Sequence, residues 1–243
     1  MAGSAAEGFA GWSVTMFGNL FPHNKHRAPL RTYYRPYRNP GINRFYNLLF
    51  CDDFSLFSDG EVGGPLGAVL SDAPDRETLE KIGDDLEVES RVRVLAFRRL
   101  RAMEVAVPRR CLLGAIIEWP QEDGLDVLAA FPDGRLRYIN HSEKLVVLES
   151  IPPDFVEKAN ELLRTSQCMV NGNGPSDMPR LPPPVGDLIR MNFLVSDGLY
   201  FGQGSYSTLM ADRFAPPVIH AAADLLRELI HAAFANGRNR VLH

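Results

Sequence analysis

The sequence predicts an α+β fold: an antiparallel sheet, built from a four-strand meander and a second hairpin, covered by helices and preceded by an extended basic-aromatic N-terminal arm. Three observations predict it. Four short apolar runs follow one another between Cys111 and Ser150, separated only by turn residues. A further pair of runs flanks Ser196-Asp197-Gly198. A stretch with helical spacing follows each group of strands, so two hairpin-then-helix units, Gly124–Ser166 and Leu188–Ala235, can lie side by side in one sheet with helices on one face.

The chain divides into an arm, residues 1–44, and one domain, residues 45–243, with a Pro-rich loop at 171–186. Hydrophobic residues make up 45% and charged residues 23%, ordinary values for a globular chain. No run of about 18 apolar residues occurs, so no membrane-spanning helix is expected. Cys51, Cys111 and Cys168 are far apart and odd in number, without a CxxC pair. That usage fits a reducing compartment and a cytoplasmic location, and it gives no structural zinc set.

The net charge of −4 conceals an asymmetry. Residues 8–51 contain no acid but carry Lys25, Arg27, Arg31, Arg35, Arg38 and Arg44, a charge of +6. With Glu7 set against them, residues 52–243 carry −9. A basic arm on an acidic body either folds back or meets an outside partner.

Within the arm, Phe9, Trp12, Met16, Phe17 and Leu20 recur at helical spacing. Phe21 to Asn43 holds four prolines and favours an extended path, with Tyr33, Tyr34 and Tyr37 interleaved with Arg31, Arg35 and Arg38. Such a ribbon can stack on bases and pair with phosphates, or lay its tyrosines along its own body. Phe45 to Cys51 reads as a strand or short helix, and Asp52-Asp53 as a solvated turn or cap. Gly63-Gly64-Pro65 is turn chemistry without the lysine of a phosphate loop. Asp72 is placed to cap the next helix, and Glu87 to Met103 reads as another, with arginines away from its apolar stripe.

The meander comprises Leu112–Trp119, Leu125–Phe131, Arg135–Asn140 and Lys144–Glu149. Its third run alternates, which predicts one buried and one wet face. Pro132-Asp133-Gly134 and Asn140–Glu143 are its tight turns. A helix follows from Pro153 or Asp154 to about Ser166, then the Pro-rich loop, then the hairpin Ile189–Val195 and Leu199–Gly202. The last helix runs from Pro216 to Ala235, stopped by Asn236-Gly237.

Candidate chemistry is sparse. His220, Asp224, Glu228 and His231 share one stripe of the last helix, but the two imidazoles stand about 16 Å apart and cannot share a metal. Cys168 has no spacing that ties it to His141 or His220, and no G-x-S-x-G occurs. No catalytic residue, metal or cofactor is therefore assigned, and enzymatic activity is disfavoured. The first functional expectation is an interaction or accessory module that docks a protein partner, or a second copy of itself, through Trp12, Phe17, Arg31, Tyr33, Tyr34, Arg35, Tyr37 and Arg38. The second is a small-molecule binder or enzyme with its site between the Pro-rich loop and the 189–204 hairpin, at Asp197, Tyr200, Gln203 and Ser205. The third is a polyanion binder, for RNA or an anionic membrane, through the arm's arginines.

Overall fold

A computed structural model describes residues 33–58 and 62–234. The helix expected from Phe9 to Leu20, with Trp12 and Phe17, lies outside them, as do Arg31 and the Asn236-Gly237 stop. The framework is a six-stranded, fully antiparallel sheet. Strands β1 (Leu112–Gln121), β2 (Gly124–Ala130), β3 (Leu136–Ile139) and β4 (Leu145–Leu148) form the expected meander. Strands β5 (Leu188–Val195) and β6 (Gly198–Ser205) form the second hairpin. β5 pairs with β1, so the order across the sheet is β4-β3-β2-β1-β5-β6. Each link within a hairpin is short, and only the β4-to-β5 crossing needs a helix.

Helices cover both faces, where the sequence suggested one. On one face α5 (Pro153–Gly172), α6 (Tyr206–Met210) and α7 (Ala215–Phe234) bury Ala115, Ile117, Leu128, Tyr138, Met191 and Phe193. On the other, α1 (Pro40–Leu48), α2 (Gly64–Leu70), α3 (Arg76–Asp84) and α4 (Ser90–Ala102) bury Leu113, Ile116, Val127, Ala129, Ile139 and Leu194. The near-continuous apolar text of β1 and β2 is what two covered faces require. The wet face expected of β3 is therefore dry. Arg137 is buried there, donating to the carbonyls of Leu136 and Leu148 at 2.9 and 2.6 Å and pairing with Glu149 at 2.7 Å.

The helix ends show why the chain breaks where it does. α1 starts earlier than the sequence suggested, at Pro40, whose missing N–H costs nothing in the first turn. The Asn39 side chain caps it by accepting from the Gly41 N–H at 2.8 Å. Asp75, not Asp72, caps α3, accepting from the Thr78 N–H at 2.8 Å. α4 has no cap of its own. Asp133, in the β2–β3 turn, supplies one from 43 residues away, accepting from the Ser90 N–H at 2.6 Å. α5 runs on past Ser166 to Gly172, and the Pro-rich loop begins only there.

Residues 33–44, which the sequence assigned to the arm, pack with the body. Tyr37, Ile42 and Asn43 are buried, and the Tyr37 hydroxyl donates to the Leu125 carbonyl at 2.9 Å. The physical reason is that Tyr37 and Ile42 bury their apolar area in the core of the α1–α4 face.

Candidate functional site

One end of the α1–α4 face holds a cluster of buried polar side chains. β1 and β5 place Glu118 opposite Arg190, with Asn192 two residues further along β5 on the same face. Tyr46 of α1 closes over them. Its hydroxyl donates to Glu118 Oε1 at 2.7 Å, and Asn192 Nδ2 donates to Glu118 Oε2 at 2.8 Å. The Arg190 guanidinium lies 3.9 Å from the same carboxylate. It also donates to the Pro182 and Leu181 carbonyls at 2.6 and 3.3 Å and, from two nitrogens, to Gln203 Oε1 at 3.0 and 2.8 Å.

Arg180 of the Pro-rich loop inserts beside this cluster. Its Nε contacts Asp52 Oδ2 at 2.6 Å and its Nη2 donates to Asn47 Oδ1 at 2.7 Å. The guanidinium carbon sits 4.1, 4.8 and 5.4 Å from the ring centres of Phe50, Tyr34 and Tyr46. An arginine enclosed by three ring faces and a carboxylate recovers in cation–π and charge-assisted contacts what it loses in hydration. Asn47 in turn accepts from the Tyr34 N–H at 3.0 Å and donates to the Tyr34 carbonyl at 2.7 Å, while the Tyr34 hydroxyl donates to the Arg180 carbonyl at 2.9 Å. Asn43 grips Tyr37 the same way, through both its main-chain groups at 2.9 and 2.7 Å. The result is a clasp that ties the N-terminal strap, residues 33–39, and the Pro-rich loop to the centre of the sheet.

Burial sets the electrostatics. It holds the Glu118 carboxyl above the usual carboxylate range, with the Tyr46 hydrogen bond and Arg190 pulling the other way. It also raises the Tyr34, Tyr37 and Tyr46 phenols, which stay protonated and donate. Glu118 is 1% exposed, and its carboxylate is satisfied by donors from the protein itself, Tyr46 and Asn192.

The sequence-selected residues fall as follows. Tyr37 is core and Tyr34 belongs to the clasp, whereas Arg35 and Arg38 are exposed. Arg35 lies 5.8 Å from the half-buried Tyr33 ring. The four residues proposed around a ligand are not gathered into one site. Tyr200 faces α5–α7 and donates to Asp197 at about the limit of a good hydrogen bond, 3.1 Å. Gln203 lies on the opposite face, on Arg190, and Ser205 caps α6 by accepting from the Thr208 N–H at 3.3 Å. Alternation along β6 forces this split.

The other polar groups that the sequence singled out lie away from this cluster. Asp53 caps a single 3₁₀ turn at Phe54–Phe57, accepting from the Ser55 N–H at 2.9 Å. The α4 arginines hold internal carbonyls: Arg99 reaches Val69 at 3.1 Å, and Arg101 reaches Ser196. His220, Asp224, Glu228 and His231 are exposed on α7. Asp126, on β2, accepts from the His141 N–H at 2.6 Å and meets its Nδ1 at 3.1 Å, which fixes the β3–β4 turn. Cys168 is exposed. Among the described residues no group of three or more His, Cys, Asp or Glu could hold a metal, and no helix is long and apolar enough to cross a membrane.

Sequence reasoning passed over Glu118, Arg180, Arg190, Asn47 and Asn192. The signal available was a lone acid inside the apolar run Leu112–Trp119 and a lone base inside Ile189–Val195. Each is costly to bury alone, so the two together imply a pair. Fold and site thus define an α+β protein with a six-stranded antiparallel sheet and a buried polar clasp. No family model matches the chain, and no curated protein or solved structure matches it.

Proposed function

We propose that this chain is an interaction module that docks a protein partner through its basic-aromatic N-terminal segment. The observation that carries the reading is the division of labour within residues 33–39. Tyr34 and Tyr37 are committed inward to Asn47, Arg180 and Leu125, while Arg35 and Arg38 alternate with them and face water. A segment rooted this firmly gives whatever precedes it a fixed point of departure from the body, and a fixed root lowers the ordering cost of docking. The charge pattern adds to this. Residues 8–51 carry +6 and no acid, which favours a partner with an acidic surface.

The test compares proteins captured from lysate by the full chain, by a chain beginning at Tyr33, and by the full chain carrying Arg35→Glu and Arg38→Glu. A specific protein held by the first and lost or weakened in the other two supports the reading. The same proteins held equally by all three would sink it. Capture of nucleic acid alone, lost steeply as salt rises, would replace it with the polyanion reading.

A further inference from the structure

Asn171-Gly172-Asn173-Gly174 stands where α5 gives way to the Pro-rich loop. An asparagine followed by glycine is chemically labile. With no β-carbon in the way, the glycine's main-chain nitrogen can close on the asparagine's side-chain carbonyl carbon. The two Asn-Gly steps are alike in sequence and unlike in structure. Gly172 is the last residue of α5, and an amide in the last helical turn is committed to the carbonyl four residues back. Asn171 is held as well. Its Oδ1 accepts from Gln167 Nε2 at 2.9 Å, and its main-chain carbonyl accepts from Arg110 at 2.8 Å.

Asn173 is the first residue past the helix, with an extended backbone at φ −128 and ψ −176. Gly174 is exposed, and a β-carbon added to it would meet nothing within 4 Å. Among the described residues no main-chain carbonyl accepts from its N–H. Gly174 can therefore absorb the backbone rotation that ring closure requires. Asn173 is at the same time the cap of α5. Its N–H donates to the Val170 carbonyl at 3.2 Å and its Nδ2 to the Met169 carbonyl at 2.8 Å, both in the last turn, where the helix leaves carbonyls unpaired. Just beyond, the Ser176 N–H ties the Pro-rich loop to the Leu199 carbonyl at 2.8 Å.

We propose that Asn173 is a spontaneous modification site of the folded protein, converting through a cyclic imide to aspartate and isoaspartate, and that this conversion loosens the start of the Pro-rich loop. The Gly174 nitrogen attacks Asn173 Cγ. The N–Cγ bond forms, the Cγ–Nδ2 bond breaks, and the side-chain amide leaves as ammonia with the proton of the Gly174 N–H. Water then opens the ring. Addition at Cγ gives aspartate. Addition at the main-chain carbonyl carbon gives isoaspartate, whose chain runs through the former side chain and is one methylene longer. Either product loses the donor to Met169 and sets a negative charge at the C-terminal end of a 20-residue helix, where the helix dipole opposes it. The disturbance reaches the Ser176 tie first, and then the segment that carries Arg180 into the clasp.

The test is incubation of the full chain at mildly alkaline pH in heavy-oxygen water, followed by peptide mapping in a mass spectrometer and amide hydrogen exchange on the fresh and converted protein. Heavy oxygen should enter residue 173 as both aspartate and isoaspartate, well ahead of residue 171. Exchange at the Ser176 amide should quicken by roughly tenfold on conversion. Gly174→Ala puts its β-carbon into open space and should slow conversion about tenfold, or about 1.4 kcal/mol of barrier. If that variant fails to fold, the comparison of residues 173 and 171 in the unaltered chain decides alone. Residue 173 remaining an amide in the native chain, while the urea-unfolded chain converts, would overturn the proposal. So would conversion of residue 171 at the same rate, or a converted protein whose Ser176 amide is as protected as before.

Discussion

Arg180 is the residue whose removal should be felt furthest. It joins Asp52, Asn47 and three aromatic faces, and its own carbonyl takes the Tyr34 hydroxyl. Arg180→Ala removes a buried cation from its contacts with Asp52, Asn47 and three rings, a change that typically costs about 3–5 kcal/mol. Urea denaturation should show a loss in that range, and a loss under about 1 kcal/mol would mean the clasp is decorative. Glu118 makes a prediction about pH. Its folded-state carboxyl is held above the unfolded value, so between those two values the native state binds the extra proton. Stability contributed by that proton is present at low pH and declines as pH rises from about 4.3, the unfolded carboxylate value, through the higher native one. Glu118→Gln cannot titrate, so its denaturation midpoint relative to wild type should rise across that window. A difference that is flat in pH would contradict this. Among the thiols, burial pushes Cys51 up to about 12, and its backbone sits at φ 53, inside the fold. A thiol-reactive dye should label exposed Cys168 in the native protein, and Cys51 only on unfolding.

At the scale of elements, most of the sheet was legible because local rules wrote it. Pro132-Asp133-Gly134 sits where a turn must be, and Gly134 takes φ 80, which a β-carbon would resist. Ser196-Asp197-Gly198 was an equally local signal, whereas Pro120, expected to stop the first strand, does not: β1 continues through it to Gln121, paired with Leu125 and Gly124 of β2. What stayed illegible was set by tertiary partners. The cap of α4 comes from Asp133, and no window of sequence around Ser90 contains it. The second covered face hid Arg137, Arg190 and Asn192, whose alternation on β3 and β5 reads as a wet face until helices are placed over it. The residues picked around a ligand were separated by a local rule instead. Asp197, Tyr200, Gln203 and Ser205 are close in sequence, and strand alternation sends them to different faces. α1 offers a test of what local chemistry contributes. Asn39→Ala removes its cap and should cost about 1 kcal/mol in a thermal or urea melt.

At the scale of the molecule, the body includes residues 33–39 of the segment that the sequence assigned to an arm. Residues 33–39 look like arm in composition, with a proline, three tyrosines and two arginines, yet they are fixed to the body because Tyr37 is buried in the core of the α1–α4 face and Asn43 and Asn47 bind the backbone of Tyr37 and Tyr34. That placement decides what the docking proposal can mean. Binding is left to Arg35, Arg38 and the residues before Tyr33, and any truncation that reaches past Tyr37 damages the body as well as the arm. The most direct measurement is the unfolding free energy of a chain beginning at Tyr33 against one beginning at Ile42. Loss of the buried Tyr37 alone is worth about 3–5 kcal/mol, so the shorter chain should be less stable by at least about 3 kcal/mol. If the two chains unfold at the same denaturant concentration, the strap is not part of the body, and the account of a clasped root supporting a docking segment is wrong.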